Sequence, residues 1–150
     1  VPASKQVGQM QTLLENLYKQ ETTFGETDFS ALCGHLGKHV NKRSFLVLYT
    51  NFSNMTSLKR QLVYLQQLAR QHRVLVVFFE DADLKEYIAG KSVTTEEYYR
   101  HVIAEKFAFE KRLIVSTLKQ HGIYSLLTTP DKLSIDVINK YLEMKSRQLL

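Results

Sequence analysis

The amino-acid sequence predicts an α/β fold in three layers, in which a parallel sheet of about three strands carries helices on both faces. Three short runs rich in β-branched and aromatic residues are typical of buried strands, and they lie at 44–50, 74–79 and 123–128. Segments with apolar residues at helical spacing separate these runs. Strands that alternate with helices join through right-handed crossovers, so the sheet is expected to be parallel.

The composition describes one folded domain, 1–150, with 44% hydrophobic residues and only two prolines. The net charge is +5, but the lysines and arginines are spread along helices with acids between them, which disfavours a binder of nucleic acid or anionic membrane. The single cysteine, Cys33, cannot form an internal disulfide and is predicted to be a small core residue. The chain begins Val1-Pro2, and we expect it to be part of a longer protein.

The first two predicted helices precede the first strand. Apolar residues recur at three and four residues over Ser4 to Gln20, which indicates an amphipathic helix, and Gln20 to Glu26 is a polar loop. Thr27 or Asp28 is expected to cap the second helix. The apolar face of that helix comprises Phe29, Leu32, Leu36 and Val40.

The first strand carries the most informative stretch, because its continuous apolar run predicts burial on both faces. Val47 in this strand and Val76 in the second are both expected to be fully buried. Ligands of open parallel sheets bind beyond the carboxyl ends of the strands. Thr50 and Asn51 follow the first strand directly, so we expect any ligand-binding residues to include them.

A third helix is predicted to open within 53–57, to carry Leu58, Leu62, Leu65, Leu68 and Ala69, and to end near 71–73. The second strand follows over Val74 to Phe79, and a short helical turn is predicted from Asp83 to Ala89. No apolar segment approaches the roughly 20 residues that a membrane span needs.

Thr94 and Glu97 form a capping-box pattern for a long helix to about Gln120, and Gly122 is expected to terminate it. The apolar face of this helix is predicted to include Tyr98, Val102, Phe109, Leu113 and Leu118. The third strand spans Ile123 to Thr128, and the last helix spans about Ser134 to Gln148.

Several polar residues could carry chemistry. His35 and His39 have the spacing of metal ligands on one helix face, but no third ligand follows at a suitable distance. Glu80 and Asp81 end the second strand, where paired acids could act as general acid and base in a hydrolase or transferase, or could cap the next helix. His72 and His121 are placed to meet carbonyl groups at helix ends.

The order of three sequence motifs resembles the later half of a von Willebrand factor A-type domain, and more narrowly the bacterial domain-of-unknown-function family fifty-eight. An arginine-serine pair starts the first strand at Arg43-Ser44, and a leucine-alanine-arginine-x-histidine motif ends the third helix at 68–72. A closing asparagine-x-tyrosine-leucine-x-x-lysine motif lies at 139–145. The resemblance covers about Leu13 to Leu149.

Such domains hold Mg²⁺ or Mn²⁺ at a metal-ion-dependent adhesion site, and the resemblance implies which residues here correspond. Thr27 matches the family's threonine, and Asn51 stands at the position of its aspartate. The family's Asp-x-Ser-x-Ser segment would lie before Val1. We therefore predict a degenerate metal site at Thr27 and Asn51 and expect no cofactor, with Mg²⁺ or Mn²⁺ binding only if that segment exists in a full-length protein.

The resemblance implies a non-enzymatic protein-interaction module of an accessory protein that works with a MoxR-type AAA ATPase. It also implies a cytoplasmic location, with any membrane tether supplied by segments outside this chain. A sheet of three apolar strands leaves an edge with unpaired backbone groups. We expect the chain to self-associate through the edge at Ser44 to Thr50 or through neighbouring helices.

Overall fold

The computed structural model describes residues 7–21, 25, 27–52, 54–80, 84, 87–88, 90 and 94–149. Within them it confirms the predicted α/β class, with three parallel strands separated by helices in a Rossmann-like arrangement. In chain order the elements are α1 (Gln9–Tyr18), α2 (Phe29–His39), β1 (Phe45–Tyr49), α3 (Met55–Gln71), β2 (Arg73–Phe79), α4 (Thr95–Gln120), β3 (Tyr124–Thr128) and α5 (Leu133–Ser146).

The sheet has the order β1-β2-β3, so β2 is its central strand. Phe45 of β1 pairs with Arg73 of β2, and Leu75 of β2 pairs with Tyr124 of β3, both in parallel register. The five residues from Val74 to Phe78 are all buried. Strands β1 and β3 pair with the backbone hydrogen-bonding groups of β2, and helices cover its side chains. A strand buried in this way is expected to have a continuous apolar sequence.

Helices lie on both faces of the sheet, as predicted. The main apolar core joins α2, α3 and α4 to one face of the sheet, and its buried members include Cys33, Leu65, Val76, Ile114 and Leu118. Helix α5 lies on the opposite face, where the rings of Tyr141 and Phe45 are 5.8 Å apart. The burial of Cys33 confirms its prediction as a core residue.

The prediction that β1 is buried on both faces is wrong, because β1 is an edge strand. Val76 on the central strand is fully buried, as expected, but Val47 on β1 is only half-buried and Tyr49 is 57% exposed. An edge strand has a neighbour on one side only, so its side chains receive less cover. Some apolar side chains of β1 therefore pack against the core, and others remain partly exposed at the edge of the sheet.

The helix ends follow the predicted signals closely. Asp28, and not Thr27, caps α2 by accepting a hydrogen bond of 2.9 Å from the N–H of Ala31. The capping box of α4 is complete, since Thr94 and Glu97 each accept a hydrogen bond from the other's backbone N–H. Gly122 ends this helix with a φ of +73°, a conformation that favours glycine.

The predicted apolar face of α4 is mostly wrong. Leu118 is fully buried, but Tyr98, Val102, Phe109 and Leu113 are exposed, and the buried residues are Ala104, Ile114 and Leu118. A helix of 26 residues is about 39 Å long at 1.5 Å per residue, whereas a strand of five to seven residues spans about 17–23 Å. Much of the helix therefore extends beyond the sheet.

The first predicted helix is confirmed over Gln9–Tyr18 as α1. This helix contacts none of the other described helices and strands. Its apolar residues are exposed, with Met10 and Leu17 both at 68%. Ser4 and the predicted turn residues Asp83 and Ala89 lie outside the described residues. Among the helices of the described part of the chain, none has the length and apolarity required to cross a membrane.

Candidate functional site

A cleft of about 180 Å³ lies beyond the carboxyl end of β1, where ligands of parallel sheets bind. Three segments build it: the residues before α2, the residues after β1, and the first two turns of α3. Its lining residues are Gly25, Thr27, Phe29, Thr50, Asn51, Phe52, Ser57 and Gln61. Thr27 and Asn51, the two predicted site residues, therefore lie in one cleft although they are distant in sequence.

The floor of the cleft is aromatic. The rings of Phe29 and Phe52 stack with centroids 6.0 Å apart, and Phe78 meets Phe52 edge-on at 6.1 Å. All three are buried and belong to the main core. Because these rings fix the segments on both sides, the polar side chains of the rim stand on a rigid base. Sequence reasoning did not assign Phe29 and Phe52 to the site.

Two helices begin at this cleft, and a side chain caps each of them. Asp28 caps α2, and Asn54 caps α3 by accepting a hydrogen bond of 2.9 Å from the N–H of Ser57. The Asp28 carboxylate is directed to the backbone of its own helix. Among the described lining residues, the polar side chains carry hydroxyl and amide groups but no carboxylate.

Lys111 brings a positive charge to the rim. Its Nζ donates a hydrogen bond to Oδ1 of Asn51, which joins α4 to the end of β1. Burial lowers the pKa of Lys111 because the charged ammonium group is partly removed from water. Sequence reasoning missed this residue, since nothing local marks one lysine of a long helix as the partner of an amide 60 residues earlier.

The described residues at this cleft do not fit a divalent cation. Mg²⁺ and Mn²⁺ prefer several oxygen ligands with negative charge among them, but Thr27 and Asn51 offer two neutral oxygens. The Asn51 oxygen already accepts from an ammonium group, whose charge would repel a second cation. The part of the chain that the structure describes contains no group of three or more His, Cys, Asp or Glu residues able to hold a metal ion.

One member of the predicted acid pair, Glu80, lies among the described residues. Glu80 follows β2 and is half-buried, and its backbone N–H donates to the carbonyl of Thr128 at 2.9 Å. Glu80 and Asn51 both lie beyond the carboxyl ends of their strands, but Glu80 does not line the cleft. Asp81 lies outside the described residues.

Of the four histidines singled out from the sequence, three are exposed and His72 is buried. His35 and His39 are exposed, with stacked rings 4.2 Å apart. Nδ1 of His121 lies 2.8 Å from the carbonyl of Thr117, which confirms the prediction that it meets a helix-end carbonyl. The same prediction for His72 is wrong, because its buried ring accepts a hydrogen bond from the backbone N–H of Ser44.

Some of the basic residues on the helices are paired with acids. Arg100 contacts Glu96 at 2.6 Å, and Glu143 contacts both Lys140 at 2.9 Å and Arg147 at 3.3 Å. Such pairs reduce the local field that a basic surface would direct at a polyanion.

Comparison with known proteins identifies no relative: no protein-family model, curated protein or solved structure matches this chain.

Proposed function

We propose that this chain is a non-enzymatic protein-interaction module, the later part of a von Willebrand factor A-like accessory domain that acts on a MoxR-type AAA ATPase in the cytoplasm. The family assignment rests on the order of the three sequence motifs. It gains support from the cleft, because Thr27 and Asn51 lie together at the end of β1, as the resemblance implies.

The observation that carries the proposal is an apolar stripe on the outer side of α5. Ile135, Ile138 and Leu142 recur at helical spacing and are 64%, 58% and 53% exposed. Tyr141, between them, contacts Phe45 of the edge strand, so the stripe adjoins β1. Contiguous exposed apolar side chains of this kind are typical of protein-interaction surfaces.

A metal-independent contact is the mode of binding that this surface supports best. The described cleft residues do not fit a divalent cation, whereas the apolar stripe can bury its side chains against a partner directly. Aliphatic residues at positions i, i+3 and i+7 of one helix are suited to an apolar groove on the partner. We therefore expect the ATPase to be recognised through the stripe, with no contribution from Mg²⁺ at Asn51.

The test is a direct binding measurement between the purified chain and the MoxR-type ATPase of the same genome by biolayer interferometry. Ile138→Lys is expected to weaken binding about tenfold or more, because a charge replaces an apolar contact at the centre of the stripe. Val63→Lys is the matched control, since Val63 is 65% exposed on α3, on the other face of the sheet.

Addition of EDTA should leave the affinity unchanged once the nucleotide state of the ATPase is held constant. The absence of binding by the wild-type chain would overturn the proposal. Equal losses in Ile138→Lys and Val63→Lys would show that the stripe is not the contact.

A further inference from the structure

The outer edge of β1 carries backbone hydrogen-bonding groups that have no partner among the described residues. Thr50 donates to Val77 at 3.1 Å, and Ser44 accepts from Arg73 at 2.8 Å, so even-numbered residues of this segment point their backbone groups toward β2. The alternation of a parallel ladder then directs the N–H and C=O groups of Phe45, Val47 and Tyr49 outward. We call these six groups the β1 edge.

No described element covers this edge. Strand β1 contacts β2 and none of the other described helices and strands through its backbone, and α1 does not fold back over it. The side chains beside it are apolar, and Tyr49 is 57% exposed. An edge that is apolar and free of charge within the strand is a ready template for another strand, because the usual protective lysine or proline is absent from 45–49.

We propose that the β1 edge binds the same edge of a second copy of this chain, which gives a two-fold dimer with a continuous six-stranded sheet. The inference rests on the proposed function in that it names one partner of an interaction module. It does not depend on the identity of the ATPase, because the partner here is the chain itself.

The register follows from the positions of the free groups. In an antiparallel pair, opposed residues of the hydrogen-bonded type exchange both N–H and C=O groups. With the two-fold axis at Val47, each Val47 faces its counterpart, and Phe45 faces Tyr49 of the second copy. All six groups of one edge then bond to the six of the other. A shift by one residue would place inward-pointing groups opposite outward-pointing ones and lose these bonds.

The side chains favour the same register. Phe45 and Tyr49 lie on one face of the sheet, so the pairing places two aromatic cross-strand pairs on either side of a Val47 pair. Aromatic and β-branched pairs are those that stabilise neighbouring strands most effectively. Because Tyr141 contacts Phe45, the Tyr141 ring borders this cluster and would adjoin the dimer interface.

The charges favour an antiparallel arrangement over a parallel one. Lys42 and Arg43 precede β1. Parallel pairing would place them beside their counterparts, whereas the antiparallel register separates the two Arg43 residues by about 26 Å, well beyond the Debye length. Arg43 then lies opposite Asn51, which Lys111 contacts, and moderate salt screens this approach.

The first experiment is sedimentation velocity of the full chain in moderate salt over a concentration series. We expect a species of twice the 17.4 kDa chain mass. Val47→Pro removes an outward N–H and spares the ladder to β2, so it should give a monomer. Tyr49→Lys should do the same through an edge charge at an exposed position that tolerates substitution. Val63→Lys adds the same charge at an exposed valine of α3 and should remain dimeric.

The second experiment tests the register by disulfide formation in a Cys33→Ala background. Paired Val47 residues would have Cα atoms about 5.5 Å apart, which is within disulfide range, so Val47→Cys should form a covalent dimer on oxidation. Tyr49→Cys should not, because the two copies of residue 49 would be about 13 Å apart.

The outcomes separate clearly. A monomeric wild-type chain overturns the proposal, and so does a dimer that survives both Val47→Pro and Tyr49→Lys. Cross-linking through Tyr49→Cys in place of Val47→Cys overturns the antiparallel register. None of these results bears on the ATPase measurement, in which a monomeric Tyr49→Lys chain can still be tested for binding through the α5 stripe.

Discussion

The backbone N–H of Ser44 donates a hydrogen bond of 3.3 Å to Nδ1 of His72. The carbonyl of Ser44 accepts from Arg73 at 2.8 Å, so both backbone groups of Ser44 are held by neighbouring residues at the start of β2. The ring therefore extends the β1–β2 ladder by one bond. Its acceptor role places the ring proton on Nε2, which is buried and has no hydrogen-bond partner among the described residues.

Replacement of His72 by alanine should destabilise the fold. The change leaves the Ser44 N–H without its acceptor and removes a buried ring, so the free energy of unfolding should fall by about 2 kcal/mol. His39→Ala is the control, since its ring is exposed, and should change that free energy by less than about 0.5 kcal/mol. Urea denaturation measures both. Equal effects would contradict the structural role of His72.

Charge in the central strand should prevent folding. Val76 is fully buried, and an unpaired carboxylate there costs several kcal/mol against a total stability of about 5–15 kcal/mol. Val76→Asp is therefore expected to lose its cooperative thermal transition. Val63→Asp, at an exposed position on α3, should melt close to the wild type. A soluble Val76→Asp chain with a cooperative transition would show that β2 is not the buried strand.

Metal binding should be weak in the isolated chain. With two neutral oxygens and the Lys111 ammonium at the cleft, isothermal titration with Mg²⁺ or Mn²⁺ should give a Kd above about 1 mM. Asn51→Asp should increase the affinity only when combined with Lys111→Met, because the lysine would otherwise neutralise the new carboxylate. Micromolar binding by the wild-type chain would refute the conclusion that these residues do not fit a divalent cation.

The thiol of Cys33 should be unreactive in the folded chain. Burial raises the pKa of Cys33, so less of the reactive thiolate forms, and the core restricts access. Modification by Ellman's reagent should be at least about 100-fold slower than for an exposed thiol introduced as Val63→Cys in a Cys33→Ala background. Comparable rates in native buffer would contradict burial, and denaturant should make the two rates equal.

The same pKa shift has a consequence for stability. Above about pH 9 the unfolded chain loses the Cys33 proton while the folded chain keeps it, so the free energy of unfolding should fall as pH rises. The Cys33→Ala variant lacks this contribution and should show a shallower decline. Urea denaturation between neutral pH and pH 10 compares the two chains. An identical pH dependence in both would rule out a contribution from the thiol.

Part of the cleft could be predicted from sequence. Thr50 and Asn51 follow an apolar run that forms a strand. In this fold class, ligands bind beyond the carboxyl ends of the strands, where such residues lie. The resemblance added Thr27. Lys111 and the aromatic floor could not be predicted, because each depends on contacts between segments far apart in the chain, and no local pattern specifies those contacts.

The sequence by itself determined the strands, the helices and most of their ends, because these depend on local periodicity and on caps such as Asp28 and Thr94. Only the tertiary structure decided which apolar residues are buried. Val76 and Val47 lie in similar apolar runs, yet one is in the centre of the sheet and the other on its edge. Burial depends on how many neighbours a strand or helix acquires, and that number is set by packing across the whole chain.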